Sequence, residues 1–310
     1  MPTTLKFCRS KADVRPAEAL QRNHARKPGS WRGVALLLGL FVAVTCLYRP
    51  AASQDLGSTN HRSLVDASQY PWSAIGRINI AGIRSRSHCT GALIGFRVVV
   101  TAAHCLYRTD IKQWAEPNAV HFVAGYQRGE YEAHSLASEL IISPGFDPDK
   151  WAHPDNYPND WAVVVLAQPI GLKVGYLGLL AMSGPQLRSF KEQDRKFALT
   201  GYPRDRAHAI SIDETCTIEA FFNGLDLISH NCRIVNGDSG APISLIFNGG
   251  LAVVAVNSAS GIDTNRGKTN TAVPIRAFSK QILRAIRETE TAPGFADGPV
   301  RAGRLPATAQ

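Results

Sequence analysis

The sequence predicts an all-β protein, a barrel or sandwich of short strands with one helix near its C-terminal end. Three observations predict it. From Tyr70 onward, apolar runs of four to eight residues recur, and Gly, Pro, Asn and Asp break them at regular intervals. The 310 residues are 45% apolar, enough for a real core, with Gly and Pro spread along the chain rather than clustered. Long helical patterns do not alternate with the apolar runs, which excludes a parallel α/β sheet.

The chain opens on a basic leader. Lys6, Arg9, Lys11, Arg15, Arg22, Arg26, Lys27 and Arg32 precede an uninterrupted apolar run from Gly33 to Tyr48. Its 16 residues are short for a membrane span, which takes roughly 20. They fit the core of a signal peptide, and Pro50-Ala51-Ala52-Ser53 supplies small residues for cleavage. The alternative is an uncleaved signal anchor with the basic residues inside. Residues 1–53 are therefore leader plus signal peptide or anchor. Residues 54–64 form a linker or propeptide, 65–290 the globular domain, and 291–310 a disordered Ala/Gly/Pro-rich tail. The expected location is secreted or periplasmic, or membrane-anchored with the domain outside. The net charge of +9 is mostly leader: residues 1–53 hold nine Lys/Arg and two acids, and the rest of the chain carries only +2. This excludes nucleic acid as a partner.

Within the domain, the expected strands are 73–80, 89–94, 96–101, 119–124, 138–142, 161–167, 196–201, 215–221, 241–247 and 250–257. One helix is expected from Pro274 to Glu288, where Ile275, Phe278, Ile282, Leu283 and Ile286 recur at helical spacing. Outside the leader and the apolar run, four cysteines remain: Cys89, Cys105, Cys216 and Cys232. An even set in an exported chain reads as two disulfides, Cys89–Cys105 and Cys216–Cys232, each closing a short loop. Loop closure is worth about 3 kcal/mol for each. Their spacing is wrong for zinc.

Three stretches carry chemistry. Gly237-Asp238-Ser239-Gly240-Ala241-Pro242 is a poor helix or strand segment. Its glycines permit a tight turn that aims the Ser239 hydroxyl and two backbone N–H groups at one spot. Acyl transfer needs such a nucleophile with donors for the oxyanion. Thr101-Ala102-Ala103-His104-Cys105 follows an apolar strand, and the disulfide at Cys105 fixes His104 as a candidate base. Asp160 heads the apolar run Trp161–Leu166, so its carboxylate is expected to be partly buried and in need of a partner. The imidazole N–H of His104 would satisfy it and fix the tautomer. Taken alone, Asp160 reads equally well as closing a turn.

In sequence and in chain order, these stretches resemble the motifs of the trypsin-like (chymotrypsin-fold) serine proteases. The resemblance covers roughly 65–288. It implies two antiparallel six-stranded β-barrels with the site between them and a C-terminal α-helix. It implies His104 as general base and acid, Asp160 as its orienting group, Ser239 as nucleophile, and the N–H groups of Gly237 and Ser239 as oxyanion hole. The opening segment Ser63–Trp72 and Gly201-Tyr202-Pro203 resemble the bacterial secreted glutamyl endopeptidase branch. The typical animal activation site is absent; Arg62-Ser63 offers a processing point, and Asp238 is the partner the family implies for a freed amino terminus.

By the same resemblance, the base of the specificity pocket falls near Arg233, and Asn257 takes the wall position where glutamyl-specific relatives carry histidine, followed by Ser258. Cleavage after Lys/Arg is then disfavoured, and small, polar or acidic side chains are accepted. The alternative is that Arg233 points to solvent beside Cys232. His88 is expected to be exposed. His121, His134, His153, His208 and His230 lack metal-ligand spacing, and Asp147, Asp149 and Asp155 read as a solvated turn rather than a calcium loop. The function expected is an exported serine endopeptidase, monomeric, without cofactor or metal, acting on protein or peptide. It meets a membrane only through residues 34–48 if they stay attached. The alternative is a catalytically silent protease-like module that binds a protein partner.

Overall fold

The short apolar runs form short strands, and their order makes a barrel followed by a sheet. The computed structural model describes residues 62–290 other than 83–87, 152, 223–226, 248–249 and 265–266. The leader, the linker up to residue 61 and the tail lie outside the described residues, as do the expectations placed on them. In chain order the strands are β1 (Arg62–Leu64), β2 (Ile75–Ile80), β3 (Cys89–Leu93), β4 (Val98–Thr101), β5 (Tyr107–Arg108), β6 (Gln113–Trp114), β7 (Val120–Ala124), β8 (Ala133–Ile142), β9 (Ala162–Leu166), β10 (Gly178–Leu179), β11 (Phe197–Gly201), β12 (Ser211–Asp213), β13 (Ile218–Phe221), β14 (Ile228–His230), β15 (Pro242–Phe247), β16 (Gly250–Thr264) and β17 (Gly267–Pro274). The α-helices are α1 (Gly171–Val174), α2 (Gly184–Glu192) and α3 (Ser279–Glu290).

Strands β2-β3-β4-β9-β8-β7 close into a six-stranded barrel. β7 alternates buried and half-buried residues, as a barrel wall with one dry face should. β4 and β9 are buried throughout, because α3 packs on them from outside the barrel. Among the described residues the second half is a further sheet with the hydrogen-bonded path β1-β12-β11-β15-β16-β17-β14-β13, and β10 pairs with β16 off that path. Beyond β12, Asp213 accepts from the amide and hydroxyl of Thr215 and from the amide of Arg233. The Cys216–Cys232 disulfide lies alongside.

The C-terminal helix begins later than the spacing predicts. A separate 3-10 turn covers Ile275–Ala277, and Phe278 leaves helical geometry before α3 starts. Phe278, Ile282 and Ala285 are buried, and the Phe278 ring stacks on Trp161 at 4.8 Å. Leu283 is 50% exposed, because Ala285 rather than Leu283 completes the stripe. α2 was not expected. Its signal is legible in retrospect: Ser183 caps the amide of Gln186, the Gln186 side chain returns to the Ser183 amide, and Pro185 occupies the first turn. Among the described residues, no helix is long and apolar enough to cross a membrane.

Candidate active site

Two strand registers bring the three chemical stretches together. In the barrel, Thr101 of β4 lies opposite Ala162 of β9. The turn after Thr101 and the residue two before Ala162 therefore meet at one end. There the His104 amide donates to Asp160 Oδ1 at 2.9 Å, and His104 Nδ1 lies 2.7 Å from Asp160 Oδ2. In the sheet, Pro242 of β15 lies opposite Val256 of β16, which sets the Ser239 turn beside Asn257 and Ser258. A bulge between Asn257 and Ala259 re-aims the chain, and Ser258 Oγ donates to Asp160 Oδ2 at 2.6 Å. Three donors thus converge on one buried carboxylate, as burial of a charge requires.

Thr90 of β3 joins the two halves. Its hydroxyl donates to the Gly237 carbonyl at 2.8 Å and accepts from the Tyr202 amide at 3.0 Å. Its amide donates to the Ser239 carbonyl at 2.9 Å, and its carbonyl accepts from Thr101 Oγ1 at 2.9 Å. Gly240, at φ 74°, lies so close that a Cβ would fall on Thr101 Oγ1 and the Thr90 carbonyl. Gly237 has φ 99°, and a Cβ there would meet the Tyr202 carbonyl. Neither the Gly237 nor the Ser239 amide donates to an acceptor among the described residues. Ser239 is half-buried, and its hydroxyl makes no hydrogen bond to His104 within the same set. The Cys89–Cys105 disulfide fixes the His104 turn to the strand that carries Thr90.

The electrostatics follow from burial and pairing. Burial disfavours the His104 imidazolium, but the Asp160 carboxylate outweighs it, and the pKa lies above the ordinary 6.5. Burial also works against the Asp160 anion. His104 and the Ser258 hydroxyl overcome it, and the carboxyl is held below its ordinary range. Asp238 behaves differently. Burial pushes it up to about 6, although Arg62 and the Val235 amide favour the anion. Arg62 Nη1 lies 2.9 Å from Asp238 Oδ2, and both side chains are almost wholly buried.

The residues expected around a specificity pocket are largely engaged in holding the site. Asn257 is buried, and its Nδ2 donates to the Asp238 carbonyl at 2.8 Å. Ser258 bonds Asp160, as above. Arg233 is exposed, with its amide on Asp213 and its carbonyl on Arg62. Against expectation, His88 is half-buried and lies 2.6 Å from the Tyr202 carbonyl. His230, also unassigned by its spacing, is fully buried, and burial pushes it down to about 4. His104 and His230 each lie near a cysteine pair, but both pairs are disulfides and offer no thiolate to a metal. Arg62, Thr90 and the bond made by Ser258 were missed. Each works through a partner far along the chain, which no local motif displays.

A mostly β fold with a closed six-stranded barrel, a second sheet and a C-terminal helix carries a histidine–aspartate pair and a Gly-flanked serine, as the class of trypsin-like serine proteases does. The sequence model of the trypsin family matches residues 63–282, and the chain belongs to that family. It is similar to a glutamyl endopeptidase of Bacillus licheniformis, 28% identical over 151 residues, which are 49% of this chain and 42% of that protein. It is also similar to a renal glandular kallikrein of Mastomys natalensis, 30% identical over 141 residues, 43% of this chain and 48% of that protein. The chain thus spans less than half the length of either curated relative. Among solved structures, a Glu endopeptidase in complex with MPD matches at TM-score 0.54 and 19% identity, over 73% of this chain and 96% of that one. The protease Anisep from Arthrobacter nicotinovorans matches at TM-score 0.52 and 21% identity, over 71% and 98%. These two likenesses show the fold.

Proposed function

We propose that this chain is an exported serine endopeptidase that cleaves peptide bonds through an acyl-enzyme. The observation that carries the reading is the Asp160 carboxylate, which holds His104 by its ring and its amide in the same loop cluster as Ser239. His104 Nε2 takes the Ser239 proton as Oγ attacks the substrate carbonyl. The oxyanion forms toward the amides of Gly237 and Ser239, which donate to no acceptor among the described residues. His104 then gives the proton to the leaving amine, and water resolves the ester by the same steps reversed. The Ser239–His104 hydrogen bond belongs to the substrate complex, since such contacts are often loose without substrate. Export is supported by the basic leader, the apolar run after it and the two disulfides.

Specificity follows from charge. No acid stands at the implied pocket base, where the sequence has Arg233, which disfavours Lys and Arg side chains, and the similarity to a glutamyl endopeptidase supports acceptance of small, polar or acidic ones. A fluorophosphonate probe tests the mechanism. The exported protein takes one adduct at Ser239, and Ser239→Ala takes none and hydrolyses nothing. An exported, folded chain that takes no adduct would be a silent binding module instead.

A further inference from the structure

Asp238 lies between the two residues whose amides serve as oxyanion donors, so whatever fixes its carboxylate fixes them. That carboxylate is fully buried and requires a counter-charge. Arg62 supplies it from within the chain. Its Nη1 donates to Asp238 Oδ2 at 2.9 Å and to the Arg233 carbonyl at 3.1 Å. Its Nε donates to Ser211 Oγ at 3.1 Å and its Nη2 to the Ser211 carbonyl at 2.9 Å. The backbone is equally fixed, because β1 pairs with β12 in register Arg62↔Asp213, Ser63↔Ile212 and Leu64↔Ser211. A planar guanidinium suits this work, since its fork reaches both sides of the pocket while its charge stays on the aspartate.

We propose that Arg62 is a positioning residue for catalysis at Ser239. Its guanidinium holds Asp238, and with it the Gly237–Ser239 turn, in the reactive arrangement, so that no newly released amino terminus is needed for that purpose. The proposal rests on the protease reading above. It departs from the implied pairing of Asp238 with a freed α-amino group, because that place is taken. It predicts that Arg62-Ser63 is not the maturing cut, since hydrolysis there would part Arg62 from β1 and from its bond to Asp238.

The test uses the full chain, exported and processed by its host. The species that takes the fluorophosphonate is sequenced from its amino terminus, and Arg62→Met and Arg62→Lys are compared with wild type for labelling, kcat, KM and melting. The active species is expected to begin at or before Arg62. Arg62→Met is expected to melt cooperatively but lose about a hundredfold in kcat, the scale of one lost oxyanion donor, with KM changed less than fivefold. Arg62→Lys is expected to recover at least a tenth of wild-type kcat. An active species beginning at Ser63 or later overturns the proposal. So does Arg62→Met with kcat within twofold of wild type, or a loss that lysine does not relieve. If Arg62→Met fails to fold, Asp238→Asn replaces it: a folded variant with near wild-type kcat overturns the proposal, and one with a hundredfold lower kcat supports it. A wild-type chain that takes no label sinks the protease reading itself, whereas labelled wild type beside equally labelled Arg62→Met sinks only the role of Arg62.

Discussion

Asp160 accepts from three donors, and two of them, the His104 ring and the Ser258 hydroxyl, have separate measurable consequences. The ring of His104 gains a neighbour that keeps its pKa above 6.5, so kcat/KM should rise with pH through a midpoint above that value. The stability due to the pair is fully present below the unfolded histidine value and is lost as pH rises through the folded one. Asp160→Asn should move the midpoint down and cut kcat by about ten-thousandfold, as read from a pH–rate profile. Ser258→Ala removes a hydrogen bond to a charged group and should cost about 1.5–3 kcal/mol in denaturant unfolding. Thr90→Val keeps the shape but strands the Gly237 carbonyl and the Tyr202 amide; a loss of about 1–3 kcal/mol for each group left unpaired should appear as a lower Tm. His104, Asp160 and Ser239 stand out in the sequence because each sits in a local pattern: a strand end with a cysteine, the head of an apolar run, a glycine-flanked turn. The bonds made by Thr90, Ser258 and Arg62 do not. A buried threonine or a single arginine looks the same in sequence whatever it bonds, and Arg62 meets Asp238 from 176 positions away.

At the scale of elements, the turn at Gly240 packs closely against β3 and β4 of the barrel. Gly240→Ala asks for a left-handed alanine and places a methyl against Thr101 and Thr90. It should destabilise by several kcal/mol or prevent export of folded protein, a result that limited proteolysis reads directly. α3 matters by packing. Ile282→Ala should cost about 2–5 kcal/mol in the same assay, because the side chain is fully buried. Most barrel strands were legible from apolar runs, since β4 and β9 are apolar on both faces and β7 alternates. The short strands β1, β12 and β14 were not. Each has three residues, too few for any period to show, and exists because a longer neighbour offers it hydrogen bonds. α2 was overlooked because its signal lies in its cap rather than in a hydrophobic stripe.

For the molecule as a whole, the two disulfides tie loops of equal length, each with a sequence separation of 16. Reduction should therefore lower Tm in two comparable steps, with about 3 kcal/mol lost at each bond. The mostly β fold expected from the resemblance is present, though composition and spacing report that strands exist and not which edges meet. One consequence follows from the four bonds of Thr90. Ser239 belongs by chain to the sheet, yet its carbonyl is held by the amide of Thr90 in β3, and the disulfide at Cys105 ties the His104 turn to that same strand. The two turns thus share one support. A substitution in β3 should therefore be felt at the Ser239 turn and at the His104 turn at once.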